Sequence, residues 1–165
     1  MTLRLILMRH AKSSWDTPRQ DDHSRPLNGR GRRSAEALGE WLRSKGYQSN
    51  AALSSDAERT RETFARLELD CPVRFTPALY LADTGTMLER LRQAEGRCVL
   101  MIGHNPGIGA FAARLVACPP THPRFDDYPT GATLVADFAG DDWSEVGYGT
   151  GAVVDFVVPR ALLSE

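Results

Sequence analysis

The sequence predicts an α/β sandwich built on a mostly parallel sheet. Apolar runs of strand length alternate along the chain with stretches of helical periodicity, which is the pattern of strand–helix–strand units. The first run, Leu3–Met8, lacks polar alternation, as expected of a strand buried on both faces. The last two runs are joined through the Gly-rich segment Gly140–Gly151, a connection that suits an antiparallel pair better than a crossover.

Each element follows from a local signal. Leu3–Met8 is the first strand, and the polar, turn-rich Pro18–Arg30 is a loop. Ala35, Leu38, Trp41 and Leu42 recur at helical spacing, which predicts a helix over Gly31–Lys45. Asn28 is available to cap it, and Gly46 can close it in a left-handed conformation. Ala51–Leu53 is a short second strand. Ser55-x-x-Glu58 matches a capping box and opens a helix that continues to about Leu67. Val73–Thr76 is the third strand. Thr84–Glu95 is helical, with Met87, Leu88 and Leu91 on one face, and Cys98–Ile102 is a strongly apolar fourth strand.

Asn105-Pro106 opens a further helix through about Cys118, with Asn as cap and Pro at the first helical position. Pro119–Pro129 holds four prolines and is a loop. Ala132–Phe138 and Ala152–Val158 are the last strands. Neither a repeat nor a linker divides the chain, so residues 1–165 are expected to form a single domain.

Composition narrows the function classes. The net charge of −1 supplies no global basic field of the kind nucleic-acid binders use. Basic residues gather early and acidic ones late. That segregation reads first as two solvated faces, and second as a basic end that attracts anionic substrates. Cys71, Cys98 and Cys118 show no metal-ligand spacing, and Cys98 reads as a core residue. Scattered cysteines and the absence of a secretory leader predict a reduced, cytoplasmic setting. No run approaches membrane-spanning length, so a membrane partner is not expected.

The chemistry gathers at strand ends. Arg9-His10 follows the first strand, Ser55–Arg59 the second, and Gly103-His104-Asn105 the fourth. Ligands in open α/β sheets bind beyond the carboxyl ends of the strands. Arg59 falls in the first turn of a helix whose free N–H groups favour an anion, and His104 precedes another helix start. Two guanidinium forks and two imidazoles at one point suit a phosphoryl group. They also disfavour a metal at His10 and His104, because the arginines repel a cation. His23 and His122 lie in polar loops and are expected in solvent. Gly147–Gly151 reads as a turn between strands.

Three blocks of the chain resemble the histidine phosphatase superfamily, with its phosphoglycerate-mutase-like fold. They are Arg9-His10-Ala11, the segment from Ser54 to Thr63, and Gly103-His104. Arg9-His10-Ala11-Lys12-Ser13-Ser14-Trp15, Arg25-Pro26-Leu27-Asn28 and His104-Asn105-Pro106-Gly107 are similar to the SixA-type phosphohistidine phosphatase branch. Ala11 stands where most members have Gly. The resemblance implies a three-layer α/β/α sandwich around a six-stranded mixed sheet with one antiparallel strand. It implies that His10 attacks phosphorus in line and carries the phosphoryl group, while Arg9, Arg59 and His104 bind its oxygens. The other ring nitrogen of His10 is expected to donate to a backbone carbonyl. Water then releases phosphate, with no cofactor.

One departure bears on the substrate. Much of the superfamily protonates the leaving oxygen with an acid soon after the third strand, where this chain reads Leu79-Tyr80-Leu81-Ala82-Asp83. Asp83 is the nearest carboxylate and the candidate proton donor, although it also reads as a cap before Thr84. Asp21 or Asp22 from the early loop are the alternatives. A weak acid handicaps alkyl phosphates more than phosphohistidine, whose imidazole can leave neutral. Arg25, Asn105 and Ser14 are candidate substrate contacts. Ser14 and Lys12 also read as rim residues, Asn105 as a cap, and Trp15 as either mouth or anchor. No long insertion supplies a lid, and the rim is expected from Lys12–Arg25 and Cys118–Thr130. The expected function is a phosphatase that takes the phosphoryl group from phosphohistidine on a protein through a covalent phosphohistidine on His10. A small phosphoester or nucleotide phosphatase is the alternative enzyme, and a phosphate-binding module that has lost turnover is the alternative of another class.

Overall fold

The computed structural model describes residues 1–163. In chain order its main elements are β1 (Thr2–Arg9), α1 (Gly29–Lys45), β2 (Ala51–Ser55), α2 (Glu58–Leu67), β3 (Val73–Thr76), α3 (Thr84–Arg92), β4 (Cys98–Gly103), α4 (Gly107–Leu115), β5 (Thr133–Ala139) and β6 (Ala152–Val157). The strands form one six-stranded open sheet in the order β3-β2-β4-β1-β5-β6. β5 alone runs against its neighbours. The expected mixed sheet with a single antiparallel strand is the one observed.

The layers follow from the period of two along each strand. Leu3, Leu5 and Leu7 of β1, Val99 and Met101 of β4, and Leu134 and Ala136 of β5 face α3 and α4. There they pack with Met87, Leu91, Ile108 and Phe111. Ile6, Met8, Leu100, Ile102 and Val135 face the opposite way, against Leu38, Trp41 and Leu42 of α1 and Leu67 of α2. Central strands buried on both faces therefore show continuous apolar runs. Full burial of a leucine such as Leu5 or Leu7 contributes about 2 kcal/mol.

Several element ends differ from the sequence reading, each for a local reason. α1 starts at Gly29, although Asn28 caps it through the Gly31 N–H at 2.8 Å and Gly46 closes it at φ 74°. The capping box at the start of α2 does not form. Ser55 remains in β2, and Ala57 occupies the cap position without a side-chain bond. α3 ends at Arg92, ahead of the expected Glu95. α4 begins at Gly107, after a cis Asn105-Pro106 peptide, and Pro106 rather than Asn105 is its cap. Asn105 still serves the helix, because its side-chain oxygen accepts the Gly109 N–H at 3.1 Å. α4 stops at Leu115 because Val116 turns extended and its neighbours bond to Gly151 on both sides.

His23 and His122 are half-buried rather than free in solvent. His23 bonds Asp56 at 2.8 Å and lies edge-on to Tyr80, while His122 packs on Phe156 and accepts the Arg124 N–H. Trp41 and Cys98 are buried, as expected. The proline-rich loop is anchored by Tyr128, which is fully buried. Its hydroxyl donates to the Leu7 carbonyl at 2.6 Å and accepts the Leu134 N–H.

Candidate active site

Register brings the strand ends together. In the parallel β1–β4 pair Arg9 stands beside Gly103, so His10 and His104, the next residues, leave the sheet side by side. Their ring centroids lie 5.2 Å apart. β2 ends on the other flank of β4, where Ser54 pairs with Ile102, and delivers Ser55 to the same edge. From β2 the chain enters α2, whose first turn carries Arg59.

The loop after His10 is pinned by both helices of one layer. The Ala11 N–H donates to Thr63 Oγ1 at 3.1 Å, one helical turn beyond Arg59 on α2. The Ala11 methyl is buried with Leu27 and with Ala35 of α1. A Cβ on Gly31 would stand 2.0 Å from the Lys12 carbonyl oxygen, so only glycine lets α1 approach this closely. The Ala11 carbonyl held in this way lies 2.7 Å from His10 Nδ1, and is the acceptor expected for that nitrogen. With the proton on Nδ1, the His10 lone pair is on Nε2.

Burial is the largest cause lowering the His10 pKa well below its ordinary value. The Ala11 carbonyl opposes it, while His104, Arg59 and Arg9 reinforce it. His104 is pushed down to about 3, by burial first and then by Arg59. Both rings are therefore neutral at physiological pH, and the Nε2 lone pair of His10 is available without prior loss of a proton.

His104 Nε2 lies 2.8 Å from Ser55 Oγ, a contact absent from the sequence reading. Ser55 is fully buried, and its oxygen already accepts the Ala57 N–H at 3.2 Å. The Ser55 hydroxyl proton needs an acceptor, and His104 Nε2 is the neighbouring one. This count assigns the ring proton of His104 to Nδ1, which becomes a donor. Nδ1 of His104 and Nε of both Arg9 and Arg59 are buried without a partner among the described residues. Unpaired buried donors are costly, and a phosphoryl group supplies the acceptors they lack.

A cavity of about 310 Å³ joins these groups. Arg9, His10, Arg59 and His104 line it, together with Arg25 and Asn105. Arg9 is held by the Tyr128 carbonyl at 3.2 Å, and Asn105 donates to the carbonyls of Asp127 and Tyr128. Arg25 is buried, donates to Ser13 Oγ at 2.7 Å, and stacks 3.5 Å from the centroid of Trp15. Trp15 is thus both mouth and anchor. Ser14 does not line the cavity. Its hydroxyl accepts the Asp16 N–H and its carbonyl binds Arg25, while Ser13 takes the lining position. The mouth adds Lys12, Leu81 and Thr130.

The candidate acids are placed differently from one another. Asp83 is exposed at the start of α3, where its carboxylate accepts the Thr86 N–H at 2.8 Å. It borders an apolar depression that meets the cavity at Leu81, and it is not among the residues lining the cavity itself. Asp21 is exposed and engages Ser24 through its carbonyl. Asp22 reaches inward. Its carboxylate binds Arg25 at 3.1 Å, Arg59 at 3.1 Å and the Tyr80 hydroxyl, and its carbonyl accepts from Arg59 at 2.7 Å. Burial resists its ionisation, but Tyr80 and Arg59 outweigh this and hold it at about 2. Asp22 is therefore an ionised brace for two arginines. Tyr80, which lies edge-on to His104 at 5.4 Å, and Ser55 are the neighbours the sequence reading missed.

The chain is similar in sequence and fold to known proteins. Residues 5–90 match the profile of the histidine phosphatase superfamily (branch 1). The uncharacterized protein Rv1276c of Mycobacterium tuberculosis is 36% identical over 160 residues, covering 93% of this chain and 100% of its own. The SixA structure from Nakamurella multipartitia superposes with a TM-score of 0.84 at 28% identity, covering 96% of this chain and 97% of that one. SixA from Agrobacterium tumefaciens superposes with a TM-score of 0.78 at 27% identity, covering 95% and 98%.

Proposed function

The chain belongs to the histidine phosphatase superfamily and is a phosphatase of that family; from that premise we propose that it removes the phosphoryl group from phosphohistidine on a protein, by way of a phosphohistidine on His10. His10 Nε2 attacks phosphorus in line while Arg9, Arg59 and the Nδ1–H of His104 hold the equatorial oxygens. The bond from phosphorus to the leaving nitrogen breaks, and its electron pair stays on that nitrogen. A substrate ring protonated on its other nitrogen departs as neutral imidazole. Water then attacks the phosphoryl group on His10, the Nε2–P bond breaks with its electrons returning to Nε2, and inorganic phosphate carries away the water's protons. His10 keeps its Nδ1 proton on the Ala11 carbonyl throughout.

The observation that carries the substrate reading is that no carboxylate lines the cavity among the described residues. Asp83 is engaged elsewhere, and Asp22 is ionised at neutral pH. An alkoxide would leave without a proton, whereas an imidazole or a phenolate needs none. The SixA name of two similar structures, both assigned as phosphohistidine phosphatases, supports the same substrate. The mouth has no long covering segment and suits a side chain displayed on another protein.

The test is a comparison of kcat/KM for a phosphohistidine protein, an aryl phosphate and an alkyl phosphate. The expected order is phosphohistidine first and alkyl phosphate last by a wide margin. An alkyl phosphate turned over as well as the phosphoprotein would overturn the substrate assignment while leaving the phosphatase intact.

A further inference from the structure

Among the described residues five large apolar side chains are exposed, and two of them stand at the mouth of the active-site cavity. Trp15 is 74% exposed and Leu81 55%. Apolar side chains scattered singly over a surface need no explanation, but two on one small rim do. Both are carried on held backbone. Leu81 has φ 51°, in the left-handed region that leucine rarely adopts. Its neighbours are fixed on either side. The Tyr80 hydroxyl bonds Asp22, and the Ala82 carbonyl lies so close to α4 that a Cβ on Gly107 would stand 1.9 Å from its oxygen.

Trp15 is steadied by Arg25, whose guanidinium lies 3.5 Å from the centroid of the indole. Arg25 is buried and already donates to Asp22, to Ser13 and to the Ser14 carbonyl. The arginine therefore has supports other than the indole, while the indole keeps most of its surface in water. A ring held still in water gives up little freedom when a second flat group lies on it.

The direction of attack says what that group is. His10 is buried, so its Nε2 reaches phosphorus from the inner side of the cavity. In-line displacement places the leaving atom on the far side of phosphorus, toward the mouth. Arg9, Arg59 and His104 take the phosphoryl oxygens, and the leaving group is left to the mouth residues. From this we infer that Trp15 is a specificity-determining residue, whose indole stacks on a flat ring bonded directly to the departing phosphoryl group. The inference deepens the phosphatase reading and rests on it for the direction of attack. The chemistry required is an aromatic leaving group, either the imidazole of a phosphohistidine or the phenol ring of a phosphotyrosine.

Two measurements on the intact chain test it, with Trp15→Ala and Trp15→Phe, and neither requires turnover. The first is NMR titration with methyl-, cyclohexyl- and phenylphosphonate. Intrinsic differences among the three compounds cancel when the same affinity ratio is compared between wild type and variant. The preference for the phenyl over the cyclohexyl compound is expected to be about two- to tenfold greater in wild type than in Trp15→Ala, with Trp15→Phe keeping part of it. The second is acrylamide quenching of tryptophan fluorescence. The chain has three tryptophans, and Trp41 and Trp143 are buried, so the quenchable signal is that of Trp15. Phenylphosphonate is expected to protect it and methylphosphonate to leave it open.

Turnover then separates the two rings. Trp15→Ala is expected to lower kcat/KM by about two- to tenfold, through KM, on a phosphohistidine peptide if the ring is imidazole and on a phosphotyrosine peptide if it is phenol. An unchanged phenyl-to-cyclohexyl ratio in Trp15→Ala would overturn the stacking role, including the case in which all three phosphonates weaken in parallel, because the indole would then act only through Arg25. Equal quenching with and without phenylphosphonate would overturn it as well. If wild type hydrolyses neither peptide nor any phosphate ester, the phosphatase reading fails, and the phosphonate titrations still decide the role of Trp15 separately.

Discussion

Ser55→Ala is the sharpest perturbation of the site, because it touches neither phosphate nor nucleophile. The substitution removes the hydroxyl that contacts His104 Nε2 at 2.8 Å and leaves that nitrogen unpaired in a site where His104 is 1% exposed. An unsatisfied buried polar atom costs about 1–3 kcal/mol. Here that cost is relieved when the ring flips or shifts its proton to Nε2, and either change withdraws the Nδ1–H donor from the phosphoryl group. The expected loss in kcat/KM is therefore about fivefold to one hundredfold. Steady-state kinetics on an aryl phosphate read it, with urea unfolding as a control for stability. Because Ser55 acts through His104, the same substitution in a His104→Gln background is expected to cost less than about threefold. A wild-type rate in Ser55→Ala, or an undiminished penalty in the His104→Gln background, refutes the tautomer argument.

Protonation offers a second check. Ring-nitrogen NMR is expected to show His10 still neutral below the pKa of an ordinary histidine, near 6.5, where such a ring has become charged. Titration of His10 near pH 6.5 contradicts the burial argument. The sign for stability follows. His10 and His104 have folded pKa values below their unfolded ones, so the unfolded chain binds more protons as pH falls. The urea midpoint is expected to decline from about pH 6.5 toward pH 4; a midpoint unchanged between pH 7 and pH 5 opposes it. Asp83→Ala removes the α3 cap, and is expected to lower the urea midpoint modestly while kcat stays within twofold. A collapse of kcat would restore Asp83 as an acid. Gly31→Ala drives a methyl into the Lys12 carbonyl and is expected to cost about 2 kcal/mol and most of the activity, since the displaced loop carries the acceptor for His10. Full activity in that variant argues against the loop's role.

The legible parts of the sequence were those where one local pattern had one structural meaning. Leu3–Met8 is apolar at every position but Arg4, and only a strand covered on both faces needs that. Arg9-His10 and Gly103-His104 end their strands at the same edge, and the β1–β4 register makes them neighbours. Ambiguity arose where one residue answers two needs. Ser55 fits a capping box, yet it serves His104, which is 49 positions away. Asp83 carries the same signal as a helix cap and as an acid, and the cap prevailed because the Thr86 N–H is beside it. Asp22 and Tyr80 lie 58 positions apart and meet only when the early loop folds over α2. Ser13 and Ser14 alternate in the direction of their side chains, so the lining role fell to the neighbour of the expected one.

The central claim is that the backbone-oriented His10 takes the phosphoryl group. Rapid quenching of wild type with an aryl phosphate, followed by peptide mass spectrometry under alkaline conditions, measures it directly. The account predicts one phosphoryl group on His10, formed within the first turnover and absent from His10→Ala. Product release without any phosphate on His10 at times shorter than a turnover would contradict it.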